Sequence, residues 1–145
     1  MPDAEDSIAE TILIIDDERD IVEYLSLILE EHGYRTLTAT DADQGLARAL
    51  ETRPDLITVD IMMPRKSGAA LIKEFNDDPG LRNIPILVIS AFSKNRDLHS
   101  EQFHALLGAR IPDENYLEKP IRVPDFIARV QSILETQARA KTLEK

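Results

Sequence analysis

The sequence predicts an α/β fold: a doubly wound, five-stranded parallel sheet built as (βα)5, with helices on both faces. Three observations predict it. Short apolar runs of strand length alternate with amphipathic stretches of helix length along the chain. Some of those runs are apolar without a break, which is the pattern of strands buried on both faces. Charged residues also stand at the ends of the runs. Residues 12–15 (Ile-Leu-Ile-Ile) lead into Asp16-Asp17, residues 56–59 (Leu-Ile-Thr-Val) into Asp60, and residues 116–118 into Lys119-Pro120. In a parallel sheet these ends meet at one carboxyl edge, where open α/β sheets bind their ligands.

The elements follow in order. Residues 12–16 form the first strand. Residues 19–32 form a helix whose apolar positions are Ile21, Val22, Leu25, Leu27, Ile28 and Leu29, with Gly33 as its stop. Residues 35–39 form a second, weaker strand. Residues 43–52 form a helix that ends near Pro54. Residues 55–60 form a third strand, of continuous apolar character up to Asp60. Pro64 interrupts the chain, and Ser67 caps a helix running to about residue 76. Pro79-Gly80 is a turn. Residues 84–90 form the fourth strand, with Pro85 at its start, where proline is tolerated. A fourth helix covers residues 95–107 and stops at Gly108. Residues 108–115 read as an extended loop and residues 115–118 as a short last strand. Pro124 is an early residue of a final helix that reaches residue 141 or beyond. Phe75, Phe103 and Phe126 are expected in the core.

With 145 residues the chain is long enough for one domain with a substantial core. The expected organisation is a flexible acidic tail at 1–10, one domain at 11–141, and a tail or the start of a helical extension at 142–145. The formal net charge of −10 disfavours a domain that itself grips nucleic acid or an anionic membrane. There are no cysteines, so disulfides, thiolate metal sites and cysteine nucleophiles are excluded. No apolar run approaches the roughly 18 residues of a membrane span, and the acidic start is unlike a signal peptide. A cytoplasmic location fits these features.

Three carboxylates at one sheet edge repel one another and need a cation. A hard divalent ion such as Mg²⁺ suits an all-oxygen site. A lysine beside them suits an anion held against that metal. Together they describe a phosphoryl-transfer site. Asp60 is the candidate nucleophile, since a carboxylate can accept a phosphoryl group as an acyl phosphate. Taken singly, each acid has an ordinary explanation as a turn or helix-cap residue. The functional reading gains only because the acids share one predicted edge. Ser90 ends the fourth strand there and can donate to a phosphoryl oxygen. Lys119 precedes a proline, so a cis Lys119–Pro120 bond is a candidate device for turning the lysine into the site. His99 and His104 are five residues apart, off a common helical face, so they do not make a metal pair. His32 near a helix C-terminus reads as favourable helix electrostatics.

The ordered set of segments resembles the receiver domain of two-component response regulators. The matching pieces are Ile-Leu-Ile-Ile-Asp-Asp-Glu at 12–18, Asp-Leu-Ile-Thr-Val-Asp-Ile-Met-Met-Pro at 55–64 with Gly68, Ile-Pro-Ile-Leu-Val-Ile-Ser-Ala at 84–91, and Tyr-Leu-Glu-Lys-Pro at 116–120. Each is weak alone; the ordered set is specific and covers nearly the whole chain. The resemblance implies a flavodoxin-like strand order, 2-1-3-4-5. It implies that Asp60 accepts a phosphoryl group from a histidine kinase or histidine phosphotransfer protein. It further implies that Asp17, Asp60 and the backbone carbonyl of Met62 bind Mg²⁺, with Asp16 acting mostly through water. Ser90 and Lys119 would hold phosphoryl oxygens, and Tyr116 would turn inward as Ser90 moves. Met62 and Phe92 match the positions flanking the attacking water; both are apolar, so slow loss of phosphate is expected. The stretch between Ser90 and Tyr116 is longer than the family's usual one. That bears on the face of fourth helix, fifth strand and fifth helix, through which a homodimer or an output partner would bind.

The expected protein is a single-domain regulator that signals to a protein partner, binds no nucleic acid through this domain and is not an enzyme beyond its own phosphorylation and autodephosphorylation. A receiver fragment of a larger response regulator or hybrid histidine kinase is the close alternative, and a phosphorylation-independent scaffold the distant one. A phosphatase of the haloacid-dehalogenase type needs a second Asp two residues after its nucleophile, where this chain has Met62. A flavodoxin-like nucleotide binder needs a phosphate loop that Asp16-Asp17-Glu18-Arg19-Asp20 does not supply.

Overall fold

The structure is a computed structural model and describes residues 9–91, 104–105 and 111–143. Five parallel strands form one sheet: β1 (Thr11–Ile15), β2 (Arg35–Ala39), β3 (Leu56–Asp60), β4 (Ile86–Ser90) and β5 (Tyr116–Glu118). Their order is β2-β1-β3-β4-β5. All four pairings are parallel, with Leu13 opposite Leu37 and Ile57, Val59 opposite Val88, and Ile89 opposite Leu117. The described helices are α1 (Arg19–Glu31), α2 (Ala42–Thr52), α3 (Gly68–Asp77) and α4 (Val123–Leu143). Among the described residues the alternation predicted from sequence is present from β1 to β4 and again after β5, and so is the strand order implied by the resemblance.

Side chains on alternate sheet faces explain the two cores. Leu13, Ile15, Ile57, Val59 and Val88 face Ala49 of α2 and Leu71, Ile72 and Phe75 of α3. Ile12, Ile14, Leu56, Leu87 and Ile89 face Val22, Leu25 and Leu29 of α1 and Phe126, Val130 and Leu134 of α4. Every residue of β3 is buried, as a central strand covered on both faces requires.

Local chemistry sets the ends. Asp41 caps α2 by accepting from the Gln44 N–H at 2.8 Å, and Ser67 caps α3 by accepting from the Ala70 N–H at 3.2 Å. Gly33 ends α1 at φ 91, a left-handed conformation that favours glycine, and the Tyr34 N–H closes the motif on the Leu29 carbonyl. His32 donates from Nδ1 to the Ile28 carbonyl at 2.9 Å, so the histidine satisfies a helix-end acceptor.

Several sequence expectations need correction. β4 begins at Ile86 rather than at residue 84, because Pro85 has no N–H to pair; its carbonyl still accepts from the Ile57 N–H at 3.1 Å. Leu27 is 59% exposed, lying off the stripe that Val22, Leu25, Ile28 and Leu29 bury. Within the expected loop before β5, Ile111 is buried in the core and Asp113–Asn115 forms a short 3₁₀ turn. Asn115 is held there by its side-chain amide, which donates to the Ile86 carbonyl at 3.0 Å. Of the expected helix at 95–107, His104 and Ala105 are described, and both are helical. Phe92, His99 and Phe103, like the start of the acidic tail, lie outside the described residues. Phe75 and Phe126 are core residues. Among the described residues no helix is long and apolar enough to cross a membrane.

Candidate phosphoryl-transfer site

The carboxyl edge of the sheet gathers the charged residues. Asp16 follows β1 and is buried; its Oδ1 accepts from the Glu18 N–H at 2.9 Å. Asp17, the next residue, is exposed. Asp60 is the last residue of β3, buried, with Oδ1 accepting from the Met62 N–H at 3.0 Å. One carboxylate oxygen from each of Asp16, Asp17 and Asp60 lies within 4.8 Å of the others. Lys119 follows β5 and reaches across the edge. Its Nζ stands 3.0 Å from Asp16 Oδ2, 3.2 Å from Asp60 Oδ2 and 3.4 Å from Glu18 Oε1. The Lys119–Pro120 peptide bond is cis.

Ser90 is the buried last residue of β4, one position beyond Ile89, the register partner of Asp60. Its carbonyl accepts from the Lys119 N–H at 2.8 Å, which ties the ends of β4 and β5 together. Tyr116 opens β5 opposite Val88 and is half-buried. Met62 is 54% exposed just beyond Asp60. Asp16, Asp17, Asp60, Ser90 and Lys119 thus stand at one edge with Met62 at its solvent side. Tyr116, at the start of β5, lines a cleft with Ser90 and Lys119, and Phe92 lies outside the described residues.

The electrostatics explain why the cluster holds. Burial pushes the Asp16 carboxyl above its usual range, and the charge on Asp60 adds to this, against the Glu18 N–H and the Lys119 ammonium. Burial opposes the charge on Lys119, but Asp16 and Asp60 outweigh it, so the lysine pKa stands above its ordinary 10.5. A carboxyl raised in this way holds its proton more readily folded than unfolded. It therefore favours folding at pH values below its unfolded pKa and opposes folding once ionised. Asp16→Asn keeps the Glu18 contact and removes the buried charge. It is expected to raise the melting temperature of the metal-free protein by a few degrees near neutral pH, measured by differential scanning calorimetry without divalent ions.

The donor set fits a hard divalent ion: three carboxylates, all oxygen, two of them buried, gathered beside one ammonium. Three further residues shape the edge and were not singled out for these tasks from sequence. Glu18 supplies the third carboxylate to Lys119. Gly68 packs so tightly under β3 that a Cβ there would lie 2.3 Å from the Asp60 carbonyl oxygen. Arg129 of α4 donates from Nη1 to the carbonyls of Glu114 and Tyr116, at 2.6 and 2.8 Å. Acid triplets and strand-end lysines carry a sequence pattern. The Glu18 and Arg129 contacts join residues of different elements that no local pattern marks. Gly68, though it belongs to the matching segment, shows its steric demand only where the chain folds back under β3.

Comparison with known proteins agrees with this edge. Residues 12–131 match the family model of the response regulator receiver domain. The polar-differentiation response regulator DivK of Brucella anthropi is 34% identical over 124 residues, covering 86% of this chain and 95% of that protein. The alkaline phosphatase synthesis transcriptional regulatory protein PhoP of Bacillus subtilis is 34% identical over 123 residues, covering 85% of this chain but 48% of that protein. This chain likewise spans about half the length of the phosphate regulon transcriptional regulatory protein PhoB of Pseudomonas aeruginosa. Among solved structures, the chemotaxis protein CheY4 of Vibrio cholerae superposes with a TM-score of 0.75 at 26% identity, covering 86% of this chain and 98% of that one. With its strand order, its acidic edge and these relatives, the chain belongs to the response regulator receiver domains of two-component signalling.

Proposed function

We propose that this chain accepts a phosphoryl group on Asp60, in a Mg²⁺-dependent reaction, from a histidine kinase or histidine phosphotransfer protein. The observation that carries the proposal is the convergence of Asp16, Asp17 and Asp60 with the Lys119 ammonium, 3.2 Å from Asp60 Oδ2. An Asp60 oxygen attacks phosphorus, the bond from phosphorus to the donor's nitrogen or oxygen breaks, and the leaving group departs with its electron pair. Asp16, Asp17, Asp60 and the Met62 carbonyl are the groups that would hold Mg²⁺. When bound, the ion neutralises charge that gathers on the phosphoryl oxygens. Lys119 contributes positive charge on the other side of the acceptor, and Ser90 a hydroxyl. The new phosphoryl group then draws Lys119 and Ser90 toward it, biasing a two-state equilibrium that Tyr116 follows. Single incorporation of a phosphoryl group from acetyl phosphate, lost in Asp60→Asn, tests the proposal.

The output is a protein contact. A cleft of about 560 Å³ runs from Ser90 past Tyr116 and Lys119 to Arg122, Asp125 and Arg129, so the switch residues open directly onto a surface. The match over 95% of DivK supports a receiver that acts as a regulator by itself. The half-length match to transcriptional regulators favours, as a second reading, a receiver that is part of a longer protein. The source gene beyond the codon for Lys145 separates the two.

Phosphate should be lost slowly. Met62 offers attacking water no side-chain hydrogen bond, and Phe92 is apolar as well. Phe92→Glu is expected to shorten the half-life of phospho-Asp60 severalfold, followed by loss of the phosphorylated mass after donor removal. An equal or longer half-life in the variant would contradict this.

A further inference from the structure

His104 is a buried polar side chain to which the phosphoryl site assigns no task. It is 7% exposed and lies in a helical position of the chain between β4 and β5. Its Nε2 stands 3.3 Å from the hydroxyl of Tyr116. The Tyr116 ring packs against the core layer that includes Val88 and Ile111. The backbone of the same residue is fixed from the opposite side, where Arg129 holds its carbonyl at 2.8 Å. Tyr116 is thus held through its main chain by α4 and through the tip of its ring by His104.

We propose that His104 is a positioning residue for Tyr116, its Nε2 holding the phenol hydroxyl so that the ring stays against the core. The assignment rests on reading Tyr116 as the switch residue. A ring free to rotate about its side-chain bonds has alternatives in solvent; a hydrogen bond to a buried imidazole favours one of them. The bond is neutral on the phenol side, because burial and then Asp113 push the Tyr116 hydroxyl up to about 12. Either nitrogen tautomer serves, since the phenol both donates and accepts. His104 sits in the stretch of chain between Ser90, which ends β4, and Tyr116, which begins β5. By linkage, a group that holds the ring inward favours the phosphorylated state.

Three variants test this. His104→Leu removes the bond and keeps an apolar side chain in the space. His104→Gln keeps a polar atom near the Nε2 position. Tyr116→Phe removes the hydroxyl and keeps the ring. Two readouts are needed: the phosphorylated fraction at fixed acetyl phosphate and Mg²⁺, and the NMR resonances of the Tyr116 ring in the unphosphorylated protein. His104→Leu is expected to move the ring resonances and to lower the phosphorylated-to-unphosphorylated ratio about threefold, the worth of one net hydrogen bond. His104→Gln should restore most of both. In a Tyr116→Phe background, His104→Leu should change the ratio no further. Unmoved ring resonances in His104→Leu, or an equal loss with and without the Tyr116 hydroxyl, would overturn the proposal and leave His104 a packing residue. If the wild-type protein takes no phosphoryl group, the receiver reading fails instead, and the ring resonances still decide the role of His104.

Discussion

Gly68→Ala is expected to cost the fold about 3 kcal/mol and to lower the melting temperature by roughly 10 °C. The new Cβ would lie 2.3 Å from the Asp60 carbonyl oxygen, 2.8 Å from the Ile61 Cα and 2.9 Å from the Asp60 carbonyl carbon. All three are backbone atoms, so no side chain can rotate away. The chain after β3 folds back to place the Gly68 N–H 3.2 Å from the Ile61 carbonyl, and Arg65 in that loop already takes a left-handed φ of 65. Relief must come from sliding α3 or from shifting the end of β3, and the second displaces Asp60. Gly80→Ala is the control. There the Cβ would meet only side-chain atoms of Asp78 and Arg53, at 3.2 Å or more. Thermal denaturation of the two variants should separate them clearly. A Gly68→Ala protein as stable as the wild type would show that β3 and α3 pack less tightly than described.

Lys119→Met should have an effect of similar size in metal-free protein. It leaves Asp16 and Asp60, 3% and 5% exposed at their side chains, facing each other without their shared cation. Removing one partner of a buried ion pair costs about 3–5 kcal/mol in general, and here uptake of a proton by one carboxylate limits the loss. The pH dependence follows from the raised lysine pKa. The folded protein holds that proton more tightly than the unfolded chain. The stabilisation is therefore complete below pH 10.5 and is lost as pH rises through the folded value. The variant should lack this alkaline loss. Added Mg²⁺ should stabilise the variant more than the wild type, because it supplies the missing positive charge. Phosphorylation by acetyl phosphate should be roughly 100-fold slower, the scale of losing one charge-stabilising donor. Urea denaturation with and without Mg²⁺, and the rate of mass gain, check both halves.

Much of this was legible in the sequence because it depends on periodicity and on strand ends. Alternating apolar runs specify a parallel sheet, and a parallel sheet brings the ends of its strands to one edge. The sequence alone therefore groups Asp16, Asp60, Ser90 and Lys119. What was not legible depends on packing between distant residues. Glu18 and Lys119 are 101 positions apart, and no pattern in either segment marks the contact. The steric demand on Gly68 comes from a loop doubling back on β3. The exposure of Leu27 depends on which side of α1 meets the sheet, and an apolar residue next to an apolar stripe reads as part of it. Ile111 looked like a loop residue because Pro112 follows it, yet the core beneath β4 has room for one more apolar side chain. The tie between His104 and Tyr116 joins two residues whose separate sequence contexts say nothing of a hydrogen bond.

Every role proposed for this sheet edge depends on Asp60 being a Mg²⁺-dependent phosphoacceptor. The most direct measurement is the intact mass of the protein after incubation with acetyl phosphate, with and without Mg²⁺, beside Asp60→Asn. The predicted result is one added phosphoryl group in the wild type with Mg²⁺, and none without the ion or in Asp60→Asn. An unchanged wild-type mass with acetyl phosphate and with a panel of phosphorylated histidine kinases, or equal incorporation into Asp60→Asn, would contradict it.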